Sequence, residues 1–157
     1  MKSPAAFRST NKPGFTLFEM MVVIVGMAII LLFTAPLAIR FYQSQLVDDT
    51  ARTLVDTLRR AHADAVAQKD SQPHGVKINT ASSTIVHFEG VTYATRLTNA
   101  DEIIDYPPTL TVTGTSTEVT FSELYGTSTI SDIWNVNLAG TTSSMSINPQ
   151  GVIDLTQ

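Results

Sequence analysis

The 157-residue sequence predicts an α+β protein in which one long N-terminal helix packs on an antiparallel β-sheet. Residues 15–39 form an apolar run that holds a single charged side chain. Residues 40–69 repeat apolar side chains at spacings of three and four, the period of a helix with one buried face. Residues 75–157 alternate apolar and polar side chains, the period of a half-buried strand. The helix is therefore predicted to have a transmembrane half and an amphipathic half.

The composition excludes several classes of site. The sequence contains no cysteine, so disulfides, zinc–thiolate sites, iron–sulfur clusters and a catalytic thiol are ruled out. A chain of this length fits one domain of ordinary size once a membrane anchor is subtracted. The fold must therefore be held by an apolar core, and no cofactor is expected.

Charge is distributed unevenly along the chain. The sequence has 10 basic and 14 acidic residues, for a formal net charge of -4, and Lys2, Arg8 and Lys12 lie within residues 1–14, which contain no acid. Without these three residues, seven basic side chains stand against 14 acidic ones. Phosphate binding needs clustered Lys and Arg, so no nucleic-acid partner is expected. A basic leader before an acidic body favours a protein oriented in a membrane.

Residues 15–39 are predicted to be the transmembrane segment. A helix crosses a bilayer with about 20 apolar residues, and residues 20–39 supply that length. Because basic residues precede the segment, residues 1–14 are predicted to be a cytoplasmic leader and residues 40–157 a periplasmic domain. The run is too long for the apolar part of an ordinary signal peptide. A plain single-pass inner-membrane anchor fits the length equally well but leaves Glu19 unexplained.

The segment GFTLFEMMVVIV, residues 14–25, places that acid near the head of the apolar run. A carboxylate in hydrocarbon is costly and normally has a partner or a function. The segment resembles the processing and polymerisation segment of type IV prepilins and type II secretion pseudopilins. The resemblance implies that a prepilin peptidase cuts after Gly14 and methylates the new N-terminal Phe15. It also implies that Glu19 pairs with the amino terminus of a neighbouring subunit and sets its register, and that Pro36 corresponds to the helix proline of many members.

Elementary chemistry agrees with these roles. Gly14 can enter a narrow peptidase cleft in an extended form because it has no side chain, although a plain linker glycine would look the same. A charge pair between Glu19 and another subunit's amine would select one register. Pro36 removes a backbone donor and clashes with the carbonyl group of Leu32, which predicts a kink or a local loosening of the helix. Pro36 could also mark the exit of the helix from the membrane.

The amphipathic half of the helix is predicted to cover the sheet. Its apolar stripe consists of Val47, Ala51, Leu54, Leu58, Ala61 and Ala65. Charged residues take the other faces. The following stretch KDSQPHG reads as a loop, and the helix is predicted to end at about residue 69.

The strands of the sheet are predicted from short alternating stretches joined by turn residues. The apolar residues of these stretches are Val86 and Phe88; Leu110 and Val112; Val119 and Phe121; Trp134, Val136 and Leu138; and Met145 and Ile147. Thr, Ser, Asn and Glu take the opposite positions, as in an antiparallel sheet with one wet face. Consecutive hairpins fit the spacing, and the helix stripe is the cover that the apolar face needs.

The body of the chain resembles the minor pseudopilin H of type II secretion and its FimT-like relatives. The similar stretches are LVDTLRRAHADAVAQKDSQPHGVKI, VTFSELYGT and SMSINPQGVIDL. The absence of cysteine departs from the disulfide-closed C-terminal loop of many type IV pilins and favours a pseudopilin. The presence of Glu19 departs from the tip subunit of the pseudopilus, which lacks that acid, and favours a position below the tip. The resemblance thus implies a pilin-like fold.

The sequence predicts no catalytic site and no metal site. His62, His74 and His87 are predicted to be dispersed over a helix, a loop and a strand, and they lack the spacing of metal-ligand motifs. No P-loop, dinucleotide motif or nucleophile elbow is present. The chain is therefore not expected to be an enzyme.

An acidic stretch lies at residues 99–106. Asp101, Glu102 and Asp105 carry oxygen ligands that could bind calcium, but their spacing is not that of an EF-hand. A solvated acidic loop is the preferred interpretation.

Together these observations predict a minor pseudopilin, a structural subunit of the type II secretion pseudopilus. It would start as a single-pass inner-membrane protein in contact with lipid and later join a periplasmic filament. The expected partners are other pseudopilins or pilins, the prepilin peptidase and an inner-membrane assembly platform. Three alternatives stay open: a minor type IV pilin in pilus assembly or DNA uptake, an uncleaved membrane-anchored periplasmic binding module, and an anchored hydrolase.

Overall fold

The structure is a computed structural model that describes residues 14–156. The predicted leader, residues 1–14, lies outside the described residues except for Gly14. The elements of the described chain are one long helix, α1 (Leu17–Val66), followed by strands β1 (His74–Asn79), β2 (Thr84–Glu89), β3 (Glu102–Asp105), β4 (Thr111–Thr113), β5 (Glu118–Phe121), β6 (Asp132–Leu138), β7 (Thr141–Ile147) and β8 (Ile153–Thr156). This is the predicted α+β class.

The chain divides into two compact units, with the boundary between Ile39 and Arg40. In the N-terminal unit the large apolar side chains are all exposed, from 48% for Val23 to 80% for Leu17. This part of α1 is long and apolar enough to span a membrane by length and composition, and its most apolar stretch contains no buried residue.

In the C-terminal unit α1 buries one face. All six predicted stripe residues are buried, together with Thr50, Val55 and Thr57. The helix ends at Val66, three residues before the predicted end, because Gln68, Asp70 and Ser71 adopt left-handed backbone angles, with φ values of 52°, 55° and 50°. A short 3-10 turn, Lys69–Ser71, then leads into β1.

The prediction of a single β-sheet was wrong. The strands form two four-stranded antiparallel sheets, ordered β3-β2-β1-β5 and β4-β6-β7-β8. Strand β5 pairs with β1 and strand β4 pairs with β6, so β4 and β5 belong to different sheets although they are consecutive. Alternation along a strand marks its buried face but does not specify its partner, which explains why β4 and β5 do not form the hairpin that their spacing suggested.

One apolar core joins the helix stripe to both sheets. The apolar residues predicted from the alternating stretches are all buried except Leu138, which is partly buried. Strand β2 departs from the prediction, which placed Val86 and Phe88 on the face toward the core: both faces of β2 are buried, and Ile85 is its residue in the main core, which includes neither Val86 nor Phe88. Ile85 and His87 face the side of Val76 and Ile78, whereas Phe88 lies outside the main core with its ring 5.6 Å from that of Tyr93.

Candidate functional site

The predicted processing segment lies at the start of α1. Gly14 and Phe15 precede the first helical residue, Leu17, and both are exposed. An added Cβ at Gly14 would meet nothing within 4 Å, and Phe15 is 74% exposed. The bond between them is thus open to the approach of another molecule. Cleavage after Gly14 and methylation of Phe15 stay predictions.

Thr16 caps the helix through its side chain and its backbone. The backbone N–H of Glu19 donates to Thr16 Oγ1 at 3.2 Å, and the N–H of Met20 donates to the Thr16 carbonyl at 3.2 Å. Threonine followed three residues later by glutamate is the capping-box pattern, in which the acid can also reach back to the cap residue. This cap was not predicted, although the stretch TLFE, residues 16–19, carries its signal.

Glu19 lies in the first turn of α1, where the helix end interacts favourably with its negative charge. The N-terminal end of a helix carries a partial positive charge that favours an acid there. No basic side chain within residues 14–156 forms an ion pair with Glu19, whose side chain is exposed. Its carboxylate is therefore held by the helix end and left available for a partner of opposite charge.

Pro36 lies inside α1, which runs from Leu17 to Val66 as one element. Proline has no N–H, so the carbonyl group of Leu32 lacks its usual helical donor. The hydroxyl of Thr34 donates to the carbonyl of Ile30 at 3.1 Å, an additional bond in the same turn. The predicted kink at Pro36 stays a prediction.

A second group of polar side chains gathers where α1 ends. Asp64 comes from the last turns of α1, His74 from the start of β1 and His87 from β2, and each can offer one ligand atom within 4.8 Å of the others. The pairing of β1 with β2 brings the two histidine rings to a centroid separation of 5.5 Å. The prediction that the histidines are dispersed was therefore wrong for His74 and His87, because strand register joins residues that the sequence separates.

The two clustered histidines are buried. His74 is 0% exposed and His87 is 6% exposed. Burial, reinforced by the neighbouring His74 and Arg60, lowers the pKa of His87 against the opposing effect of the Asp64 and Glu102 carboxylates. The His87 ring is therefore neutral near pH 7. His62 is not part of this group. Its ring packs edge-on against that of Phe121, with the two ring centroids 5.4 Å apart.

Two of the three acids in the stretch 99–106 pair with arginines. Asp101 accepts two hydrogen bonds from Arg96 Nε, at 3.0 and 2.8 Å, and Glu102 accepts one from Arg60 at 2.8 Å. Residues Glu102–Asp105 form the edge strand β3. The preferred interpretation of a solvated loop was wrong for Asp101 and Glu102, because two arginines that lie outside this stretch pair with them, whereas Asp105 is exposed as expected.

The fold is similar to that of known structures, although no protein-family model and no curated protein sequence matches the chain. A structure of the minor pseudopilin EpsH from the type 2 secretion system of Vibrio cholerae matches with a TM-score of 0.54 and 11% identity, covering 70% of this chain and 95% of that one. A crystal structure of the same pseudopilin matches with a TM-score of 0.54 and 9% identity, covering 71% and 94%. At such low identity the likeness shows the fold alone, which is the predicted pilin-like one.

Proposed function

We propose that the chain is a minor pseudopilin, a non-enzymatic structural subunit of a type II secretion pseudopilus. The observation that supports this best is the combination of two features in one chain. The segment GFTLFE, residues 14–19, lies at the start of an exposed apolar helix, and the fold of the chain is similar to that of EpsH. A plain anchor needs the helix but has no use for the acid at Glu19. A soluble protein has no use for the exposed apolar helix.

The proposed sequence of events follows from the chemistry of this segment. The precursor inserts through residues 15–39 into the inner membrane, with its body on the periplasmic side. A prepilin peptidase cuts after Gly14, which removes the basic leader and creates an α-amino group on Phe15. The trimmed subunit then leaves the membrane for a filament of pilin-like subunits with the help of an assembly platform. The subunit itself contributes packing and register.

The cut supplies the cation that Glu19 lacks. Within residues 14–156 no basic side chain pairs with this carboxylate. The new amine on Phe15 of a neighbouring subunit carries the needed charge and lies in the same layer of the membrane. A charge pair in a medium of low dielectric constant is strong and sensitive to distance, so a subunit in the wrong register leaves two charges unpaired.

Thr16 provides a competing explanation within the chain. If Glu19 serves only to complete the capping box, a glutamine should replace it, because glutamine also fits the third position of that motif. If Glu19 serves as a charge partner, glutamine should fail, because it is neutral. Glu19→Gln and Glu19→Ala therefore separate the two roles.

We expect Glu19→Gln and Glu19→Ala to insert into the membrane, fold and be cut normally. Both variants should be incorporated into filaments at least about tenfold less than the unaltered chain. A tenfold decrease corresponds to a loss of about 1.4 kcal/mol of pairing free energy. Filaments sheared from cells that make the whole system would be compared by quantitative immunoblot. Thr16→Ser is the matched control for the cap, because it keeps the hydroxyl acceptor and should be incorporated normally.

Normal incorporation of Glu19→Gln, with loss only in Glu19→Ala, would assign the acid to the helix cap and reject the register role. The intact mass of the filament subunit provides a separate test. A chain that begins at methylated Phe15 agrees with the proposal, whereas a chain that keeps residues 1–14 would point to the uncleaved binding module.

A further inference from the structure

We propose that Asp64, His74 and His87 form a binding site for a zinc ion, which ties the C-terminal end of α1 to strands β1 and β2. This inference is independent of the filament role, because the site lies in the C-terminal unit and involves none of the residues of the processing segment. We call these three residues the His-His-Asp site.

The donor set suits zinc. Zinc in proteins takes imidazole nitrogens and carboxylate oxygens at about 2.0–2.2 Å, often with three protein ligands and one water molecule. Magnesium and calcium prefer ligand sets made of oxygen. Two imidazoles and one carboxylate therefore favour zinc over the alkaline-earth ions.

The ligand atoms are close enough to converge with small side-chain movements. They all lie within 4.8 Å of one another, and Asp64 Oδ2 is 4.0 Å from His87 Nε2. Two ligands of one tetrahedral zinc ion lie about 3.3 Å apart, from the bond lengths above. The Asp64 side chain, which is 22% exposed, can rotate to close this difference and also gives an ion its route from solvent.

Each buried imidazole presents one nitrogen that has no hydrogen-bond partner within the described residues: His74 Nδ1 and His87 Nε2. Buried polar atoms in native proteins are nearly always bonded, so two such atoms in one group indicate a ligand. Apolar side chains would pack the same space without leaving a polar atom unpaired. Core packing alone therefore does not explain why histidines occupy both positions, whereas metal binding does.

The other nitrogen of each ring faces an oxygen atom of a neighbouring residue. His74 Nε2 lies 3.1 Å from the carbonyl oxygen of Lys69, so the tautomer that donates there leaves a lone pair on Nδ1. His87 Nδ1 faces Glu102 Oε2 at 3.8 Å. Metal-binding histidines usually hold their second nitrogen against a carbonyl or a carboxylate, which fixes the ring and raises its basicity. The His74 ring follows this pattern, whereas the Glu102 carboxylate lies near the His87 ring but beyond hydrogen-bond distance.

Two neighbouring cations set the limits of the site. Lys69 Nζ lies 3.4 Å from Asp64 Oδ2, so a zinc ion must compete with this amine for the carboxylate. Arg60 pairs with Glu102 at 2.8 Å, which keeps its charge partly neutralised. The Lys69 side chain is 49% exposed, so its amine can move into water when an ion takes the carboxylate.

The test uses the full-length chain in mild detergent, without a polyhistidine tag. After equilibrium dialysis against zinc chloride, we expect one zinc ion per chain by elemental mass spectrometry, and no retention of magnesium. Cobalt(II) bound in place of zinc should show the visible absorption of a four-coordinate site. Zinc should also raise the temperature of unfolding as its concentration rises, as any ligand specific to the folded state does.

The variants His87→Gln and Asp64→Asn each remove one ligand. We expect each variant to weaken zinc binding by about 100-fold or more. Substitution of residues that merely orient metal ligands already weakens metal binding by about 10- to 100-fold. His62→Gln is the matched control, because it removes a histidine from the helix that carries Asp64 but is not part of the site. This variant should bind zinc as the unaltered chain does.

Failure of the unaltered chain to retain zinc would overturn the proposal, and would leave a buried water molecule to satisfy the two nitrogens. Equal binding by His87→Gln and the unaltered chain would overturn it as well. If the variants do not fold, as judged by circular dichroism, the cobalt spectrum of the unaltered chain decides: a six-coordinate spectrum typical of oxygen ligands alone contradicts the site.

Discussion

The two halves of α1 differ in a way that hydrophobicity alone does not predict. Residues 17–39 are almost wholly apolar, yet none of them is buried. Residues 40–66 carry many charges, yet all nine buried residues of the helix lie there. The apolar half has no partner within the described chain, whereas the charged half packs its stripe against two sheets. Burial therefore follows the presence of a complementary surface.

The difference also separates two kinds of apolar surface. In the C-terminal unit most of the buried apolar residues form one core that includes the helix stripe. In the N-terminal unit every large apolar side chain is exposed by about half or more. Continuous exposed apolar surface of this extent marks contact with a membrane or with another protein. The two halves of α1 thus differ in their surroundings: one packs in the core of the domain, and the other exposes its apolar side chains.

The largest expected effect comes from separating the halves. A chain reduced to residues 40–157 should fold and stay soluble without detergent, because the whole core lies within that range. The full-length chain should sediment with membranes. Fractionation of cells, followed by thermal unfolding monitored by circular dichroism, measures both properties. A truncated chain that aggregates or unfolds without cooperativity would show that the N-terminal unit takes part in folding.

A matched pair of leucine substitutions sharpens the comparison. Leu54 is fully buried in the core, so Leu54→Ala should lower the free energy of unfolding by about 2–5 kcal/mol. Leu31 is 65% exposed, so Leu31→Ala should leave that free energy unchanged. Pulse proteolysis of both full-length variants in mild detergent, over a series of urea concentrations, gives the two values. Similar losses in both variants would contradict the division of the helix.

The sequence predicted what depends on local periodicity. All six residues predicted for the stripe from Val47 to Ala65 are buried, because a helix places residues three and four apart on one face, although the buried face also includes Thr50, Val55 and Thr57. The cap at Thr16 was missed, although it too is local and its pattern is visible. Local sequence patterns therefore contain both the buried face of the helix and its N-terminal cap.

What the sequence did not reveal depends on strand register. The division into two sheets follows from β5 pairing with β1 and β4 pairing with β6, and alternation carries no information about such partners. The pairing of β1 with β2 brings His74 beside His87, which the spacing of residues along the chain cannot show. The charge partner of Glu102 is likewise set by tertiary contacts. Nonlocal pairing is therefore the common cause of these misses.

Two acids extend the comparison from apolar side chains to charges. Glu19 has no basic partner within residues 14–156. Asp132, which is 8% exposed, accepts hydrogen bonds from the backbone N–H groups of Thr115, Ser116 and Ile133 at 3.2, 2.7 and 2.8 Å, and from the indole N–H of Trp134 at 3.2 Å. The folded domain satisfies its own buried acid, whereas the acid of the apolar half is exposed and has no ion-pair partner within residues 14–156.

The smallest expected effect concerns Asp132. Burial alone would raise its pKa, but the backbone hydrogen bonds from Ser116, Thr115 and Ile133 outweigh burial and lower the pKa of Asp132 below its usual value. A lowered pKa in the folded state means that the carboxylate stabilises the protein above the unfolded-state pKa of about 3.9 and loses this contribution as the pH falls through the folded-state value.

Asp132→Asn should therefore lower the free energy of unfolding by about 1–2 kcal/mol at pH 7, because the amide keeps one acceptor oxygen and loses the charge. The difference from the unaltered chain should begin to shrink as the pH falls below the unfolded-state pKa of about 3.9, and should be lost only as the pH falls through the lower folded-state pKa, where the aspartate in the folded protein becomes protonated. Urea denaturation of residues 40–157 at a series of pH values measures the difference directly. If the difference in unfolding free energy stays constant with pH, the four N–H donors around Asp132 stabilise the protein by hydrogen bonding that does not depend on the charge of this residue.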